Sequence, residues 1–201
     1  MKKILNIILL CISATNCNSQ TQILDISQDR GTDNLTGAYY KDLNGYLNPF
    51  VGTYVYTSGN TSLKIVLQKK TMSSVNDRYF HDYLVGEYRY VNNGIEVVST
   101  LNNLSQNFSN AWNYNIGGNL IISQGNTGCF DCVPNEKAWK GGLVDSSTGN
   151  TAELIIRRVT VNGAPAIKIW IMWRMRYKNA IDSALPNPSF DGGYYTLMKQ
   201  L

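Results

Sequence analysis

The stretch Phe50-Val51-Gly52-Thr53-Tyr54-Val55-Tyr56-Thr57, then Ser58-Gly59-Asn60, then Thr61-Ser62-Leu63-Lys64-Ile65-Val66-Leu67-Gln68-Lys69 decides how this chain folds. Leu63, Ile65 and Leu67 alternate with Lys64 and Gln68, so apolar side chains fall on one face and polar ones on the other. That is the period of a half-buried strand. The Ser-Gly-Asn break between two runs rich in β-branched and aromatic residues reads as a hairpin turn.

The pattern repeats downstream. Tyr79 to Val91 reads as a longer strand with Gly86 in its middle as a candidate bulge or bend, and Asn92-Asn93-Gly94 turns it into Ile95-Glu96-Val97-Val98. Residues 101–117, rich in Asn and Ser, read as a loop with a short edge piece. Leu120-Ile121-Ile122 and Gly142-Leu143-Val144 are short strands flanking a loop that carries two cysteines. Ala152 to Val161 turns at Asn162-Gly163 into Ala166 to Tyr177, and after a Pro186/Pro188 loop Tyr194 to Met198 forms the last strand. About nine strands result, and no window of ten residues keeps a helical apolar period. The expected fold class is therefore all-β. An antiparallel meander with no helix to cover its apolar face must close into a barrel or pack as a strongly curved sandwich.

Composition supports strands joined by turns. The 201 residues include 23 Asn, 17 Gly and 13 Tyr but only 5 Pro, and the 16% charged content excludes a highly charged disordered chain. Residues 1–19 have the parts of a secretory signal: basic Met1-Lys2-Lys3, an apolar run Ile4 to Ile12, then small and polar residues. Residues 20–48 are polar and punctuated by Gly31, Gly37 and Asn44-Gly45, and read as a tether and irregular lead-in. Residues 49–201 are expected to form a single all-β domain. Without Lys2 and Lys3, 16 cations face 14 acids, a near balance that argues against a nucleic-acid partner.

Cys17, followed by Asn18-Ser19-Gln20, resembles the lipidated cysteine of bacterial lipoproteins, although Ala14-Thr15-Asn16 departs from the usual residues before it. Cleavage after Ser19 is the competing outcome. Either one predicts a cell-envelope address, as an outer-membrane lipoprotein or as a periplasmic or secreted protein. Cys129 and Cys132 remain in the folded domain, and an oxidising compartment favours a disulfide between them. A zinc site would need two more ligands, and the chain has one histidine, so no metal or other cofactor is expected.

His81 shares a strand face with Tyr79, Tyr83 and Glu87 while Asp82 points away, so the adjacent His-Asp is not an orienting pair. His81 reads as part of a surface or interface tyrosine cluster. Asp82, Glu87, Glu96, Asp131, Glu136, Asp145 and Glu153 are scattered singly, and no nucleophile elbow or phosphate loop is present, so no catalytic residue is assigned. The most informative stretch is Ile167 to Lys178. Ile167, Ile169, Ile171 and Trp173 form a core face, whereas Lys168, Trp170, Met172, Arg174 and Arg176 form a face that mixes aromatics with cations. Lys168, Trp170, Arg174 and Arg176 are the candidate binding patch, for an envelope partner or an anionic glycan or lipid.

Two resemblances bear on these expectations. Gly52-Thr53-Tyr54 resembles the opening strand of lipocalin-like barrels, which implies a barrel and, as an alternative function, a carrier of a small apolar ligand. The signal-like start, Pro49-Phe50-Val51-Gly52-Thr53-Tyr54, Tyr79 to Gly86 and the closing Leu197-Met198-Lys199-Gln200 look like a family of small exported Bacteroidetes proteins of unknown function. That likeness implies location and fold and no activity. The leading expectation is a non-enzymatic binding or structural module of the envelope, with a hydrolase as the third possibility.

Overall fold

The computed structural model describes residues 21–29, 31–130, 132–174 and 186–200. The signal segment, Cys17 and Arg176 lie outside the described residues. Among the described residues, eleven strands follow in chain order: β1 (Ile23–Asp25), β2 (Tyr39–Lys41), β3 (Gly52–Ser58), β4 (Thr61–Val75), β5 (Tyr79–Asn92), β6 (Ile95–Ser99), β7 (Ile116–Ser123), β8 (Lys137–Val144), β9 (Thr151–Val161), β10 (Ala164–Trp173) and β11 (Gly193–Gln200). Eight of them, β3 to β5 and β7 to β11, pair antiparallel with their neighbours. The ring closes because β5 also pairs with β7, through Leu84↔Gly118 to Gly86↔Ile116. A closed barrel leaves none of these strands as an open edge.

The alternation read from the sequence sets what lies inside. Leu63, Ile65 and Leu67 of β4 face the interior together with Leu154 and Ile156 of β9 and Ile167, Ile169 and Ile171 of β10. Trp139, Tyr54 and Tyr88 are fully buried among them, so large side chains fill the barrel interior. Trp139 fits because a glycine faces it: a Cβ on Gly141 would sit 2.3 Å from its ring, and its indole N–H donates to the Gly118 carbonyl at 3.2 Å. At Gly86, the candidate bulge or bend, there is no bulge, since β4 and β5 pair through it without a shift in register. Its role is close approach, because a Cβ there would lie 2.4 Å from the Val66 carbonyl oxygen. The irregularity in β4 falls instead between Lys70 and Ser73, where Met72 has φ 52°.

Two departures from expectation concern the segments outside the hairpins. Residues 101–117 contribute two 3-10 turns, Leu101–Gln106 and Ala111–Asn113, before β7 begins. The lead-in is not a tether over residues 21–48. β1 and β2 pair in parallel and β2 continues onto β5 through Tyr39↔Phe80 and Tyr40↔His81. Ala38, Tyr40 and Leu47 are buried, and the polarity of the segment serves internal hydrogen bonds. Asp42 accepts from the Tyr46 and Leu47 amides and from Lys69 Nζ at 2.9 Å, while Asp82 accepts from the Asp42 and Met72 amides and the Tyr39 hydroxyl. With this many donors, neither buried carboxyl leaves its oxygens orphaned.

Candidate functional site

The outward face of β10 is built by strict alternation with its buried isoleucines. Trp170 pairs with Ile155 of β9 on one side and Tyr194 of β11 on the other, and all three point away from the barrel interior. Trp170 and Tyr194 stack with ring centroids 5.7 Å apart and planes 15° apart. Lys168 Nζ lies 4.8 Å from the Tyr194 ring centroid, a cation–π distance. Tyr194 is 66% exposed, so the platform presents one aromatic ring to solvent with a cation at its border. Met172 is also exposed beside it, and Arg174 is exposed just past the end of β10.

The loop between β7 and β8 covers the far side of this platform. Cys129 and Cys132 stand at disulfide-bonding distance, with Cα atoms 5.0 Å apart, and are buried on the outside of the barrel with Ile122, Ala138 and Ile155. Trp170 packs against that cluster. A Cβ on Gly128 would fall 1.9 Å from the Ile155 side chain, which measures how closely the loop lies on β9. Arg157 anchors the loop exit by a two-pronged contact with Glu136, 2.8 Å on each prong. The tip residue Phe130 is 71% exposed.

The sequence places Lys168 and Trp170 on this face, and the structure brings them together with Tyr194. The ring of Tyr194 and the cysteine loop cover Trp170. Tyr194, Phe130 and the packing of Cys129 and Cys132 under Trp170 are the parts sequence reasoning missed. Alternation along Gly193-Tyr194-Tyr195 assigns Tyr194 to the outside, but its register against β10 is set across a loop with two prolines.

His81 is not a surface residue: it is 1% exposed, stacked on Tyr40 at 5.2 Å and flanked by Tyr79 and Tyr83. Its Nε2 is 3.0 Å from Asp29 Oδ2, and Asn119 Nδ2 is 3.1 Å from Nδ1. Burial pushes the Asp29 carboxyl up, yet hydrogen bonds from His81, the Gly31 amide and Asn34 outweigh it and hold the group well below the usual carboxylate range. Among the described residues, Glu87 and Asp145, expected singly, are likewise tied into structure. Glu87 accepts from the Asn115 backbone and side chain, and Asp145 from Ser147 and Ser189. Burial raises the Asp145 carboxyl, but the Ser189 amide and the Ser147, Thr148 and Ser189 hydroxyls bring it below its ordinary value.

A comparison with curated proteins and with solved structures finds no match. A family model matches residues 1–162, which takes in the cysteine loop and β9 and stops before Lys168, Trp170 and Tyr194. With most of its length matched, this chain belongs to the DUF6705 family, a family of unknown function.

Proposed function

We propose that this protein is an exported binding module of the cell envelope, held at the membrane by a lipid on Cys17, that takes an anionic glycan or lipid headgroup on the outer face of β10 and β11. The observation that carries the reading is the Trp170–Tyr194 stack bordered by Lys168. A flat aromatic ring accepts the apolar face of a sugar or an acyl-glycerol backbone, and the adjoining ammonium selects negative charge. A carrier of an apolar cargo needs room inside the barrel, where Trp139, Tyr54, Tyr88 and Leu154 are packed with 2% exposure or less.

The test measures retention of the full chain on immobilised polygalacturonate and on phosphatidylglycerol vesicles as salt is raised. Lys168→Gln is expected to weaken retention most at low salt, because exposed charges are screened over about 8–10 Å at physiological ionic strength. Tyr194→Ala is expected to weaken it at every salt concentration while shifting stability by less than ~1 kcal/mol. Equal retention of both variants and wild type contradicts the assignment. For the anchor, Cys17→Ser is expected to abolish lipid labelling, and unchanged detergent partitioning contradicts it.

A further inference from the structure

At one rim of the barrel, beyond the aromatic platform, two surface grooves adjoin. One, of about 660 Å³, runs between the Asn44–Phe50 turn and the exit of the cysteine loop and is lined by Tyr46, Pro134, Lys137 and Arg158. The other, of about 650 Å³, continues over the β9–β10 hairpin and is lined by Tyr54, Pro165, Arg158 and Lys199. Pro49, Arg158 and Val159 line both.

Arg158 stands at their junction for a reason of register. It pairs with Ile167, so it takes the inward-facing position of β9, but at the rim, where its side chain is exposed instead of enclosed. Its charge reaches Tyr54, where it opposes the rise in the phenol pKa that burial causes. Lys199 lies across Tyr54 with Nζ 5.8 Å from the ring centroid, and Lys137 Nζ is 5.9 Å from that of Tyr46. Among the described residues, Lys137, Arg158 and Lys199 have no carboxylate partner, while Glu136, the one acid lining the grooves, is engaged by Arg157. Three cations with no carboxylate partner among the described residues, around a cleft walled by tyrosines and prolines, focus positive potential where apolar surface is also available.

We infer that this rim groove binds a phosphate-bearing sugar, with the phosphate on Arg158 and Lys199 and the ring against Tyr46 and the prolines. A guanidinium fork suits phosphate oxygens, and a phosphate monoester supplies up to two charges to meet several cations. The volume exceeds what inorganic phosphate alone would fill and lies within the usual range of about 300–1,000 Å³ for small-molecule sites. The ligand is either a free sugar phosphate or the same chemistry on a glycolipid headgroup. The inference is independent of the β10–β11 face, because Tyr194 and Trp170 line neither groove.

Isothermal titration calorimetry of the full chain with glucose 1-phosphate, glucose and inorganic phosphate tests it. Sedimentation with phosphatidylcholine vesicles, with and without phosphatidylinositol 4-phosphate, supplies the lipid arm. The expected result is saturable binding of glucose 1-phosphate, of the phosphoinositide vesicles, or of both, which also identifies the source. Inorganic phosphate should bind at least tenfold more weakly and glucose not measurably. Arg158→Gln with Lys199→Gln should weaken binding at least tenfold with an unchanged circular dichroism melt, and Lys64→Gln, on the outward face of β4 and outside both grooves, should leave it intact. Failure of both probes, equal binding of inorganic phosphate, equal binding by the double variant, or the same loss of binding in Lys64→Gln overturns the inference.

Discussion

Replacing Asp29 by Ala removes the clamp that docks the 21–48 segment onto the barrel. Its carboxylate accepts from the Gly31 amide at 2.7 Å, Asn34 Nδ2 at 2.6 Å and Asn119 Nδ2 at 3.0 Å, and faces His81 Nε2 at 3.0 Å. Truncation leaves His81, almost fully enclosed by Tyr40, Tyr79 and Tyr83, without its acidic partner. An orphaned buried polar group costs about 1–3 kcal/mol, and because Asp29 is itself 27% exposed the lower half of that range applies. The loss should be local. Amide hydrogen exchange in β2 is expected to accelerate by roughly tenfold or more while β9 and β10 keep their protection. Asp29→Asn keeps the shape and an acceptor oxygen for one donor set and should lose about half as much. The pH dependence has a defined sign: an acid whose pKa is lowered on folding contributes its full stability above about pH 4, the unfolded value, and loses it as pH falls toward the folded value. β2 protection that is unchanged in Asp29→Ala, or lost between pH 7 and pH 5 in the wild type, refutes the clamp.

Three further perturbations test other parts of the structure. Cys129→Ala with Cys132→Ala should cost about 1–2 kcal/mol, the low end for a short disulfide loop, and increase quenching of Trp170 fluorescence; rapid alkylation of both thiols in the unreduced wild type contradicts the bond. Gly86→Ala puts a methyl 2.4 Å from the Val66 carbonyl and should destabilise by about 3 kcal/mol in urea unfolding, whereas a change under 1 kcal/mol would mean the β4–β5 ladder yields easily. Burial holds the Tyr88 and Tyr195 phenols up to about 12, so ultraviolet titration should show phenols ionising well above pH 10, with their contribution to stability complete below pH 10 and lost as pH rises toward 12. A single transition at pH 10 with no alkaline unfolding contradicts that burial.

The barrel strands were legible because alternation and Asn-Gly turns are local signals. Leu63-Lys64-Ile65 and Ile167-Lys168-Ile169 state their inside and outside faces without reference to anything distant. β1 and β2 were not legible, since each has three residues and β2 pairs in parallel with a strand some forty positions away. Asp29, Asn34 and Asp42 read as solvated linker residues, and only their partners His81, Asn119 and Lys69 reveal them as internal. Of the candidate patch, Lys168 and Trp170 followed from the isoleucine period. Tyr194 depended on strand register, and the cover supplied by the cysteine loop depended on packing between residues about 25 positions apart, such as Gly128 and Ile155.

The central claim is that the protein works through the outer face of β10 and β11. The most direct measurement places a benzophenone cross-linking side chain at Tyr194 and, as a control, at Lys64 on the outward face of β4, and irradiates the full chain in its native envelope. One saturable adduct with a glycan or lipid is expected from position 194, diminished by Lys168→Gln, and none from position 64. Matching adducts from the two positions, or none from position 194, would contradict it.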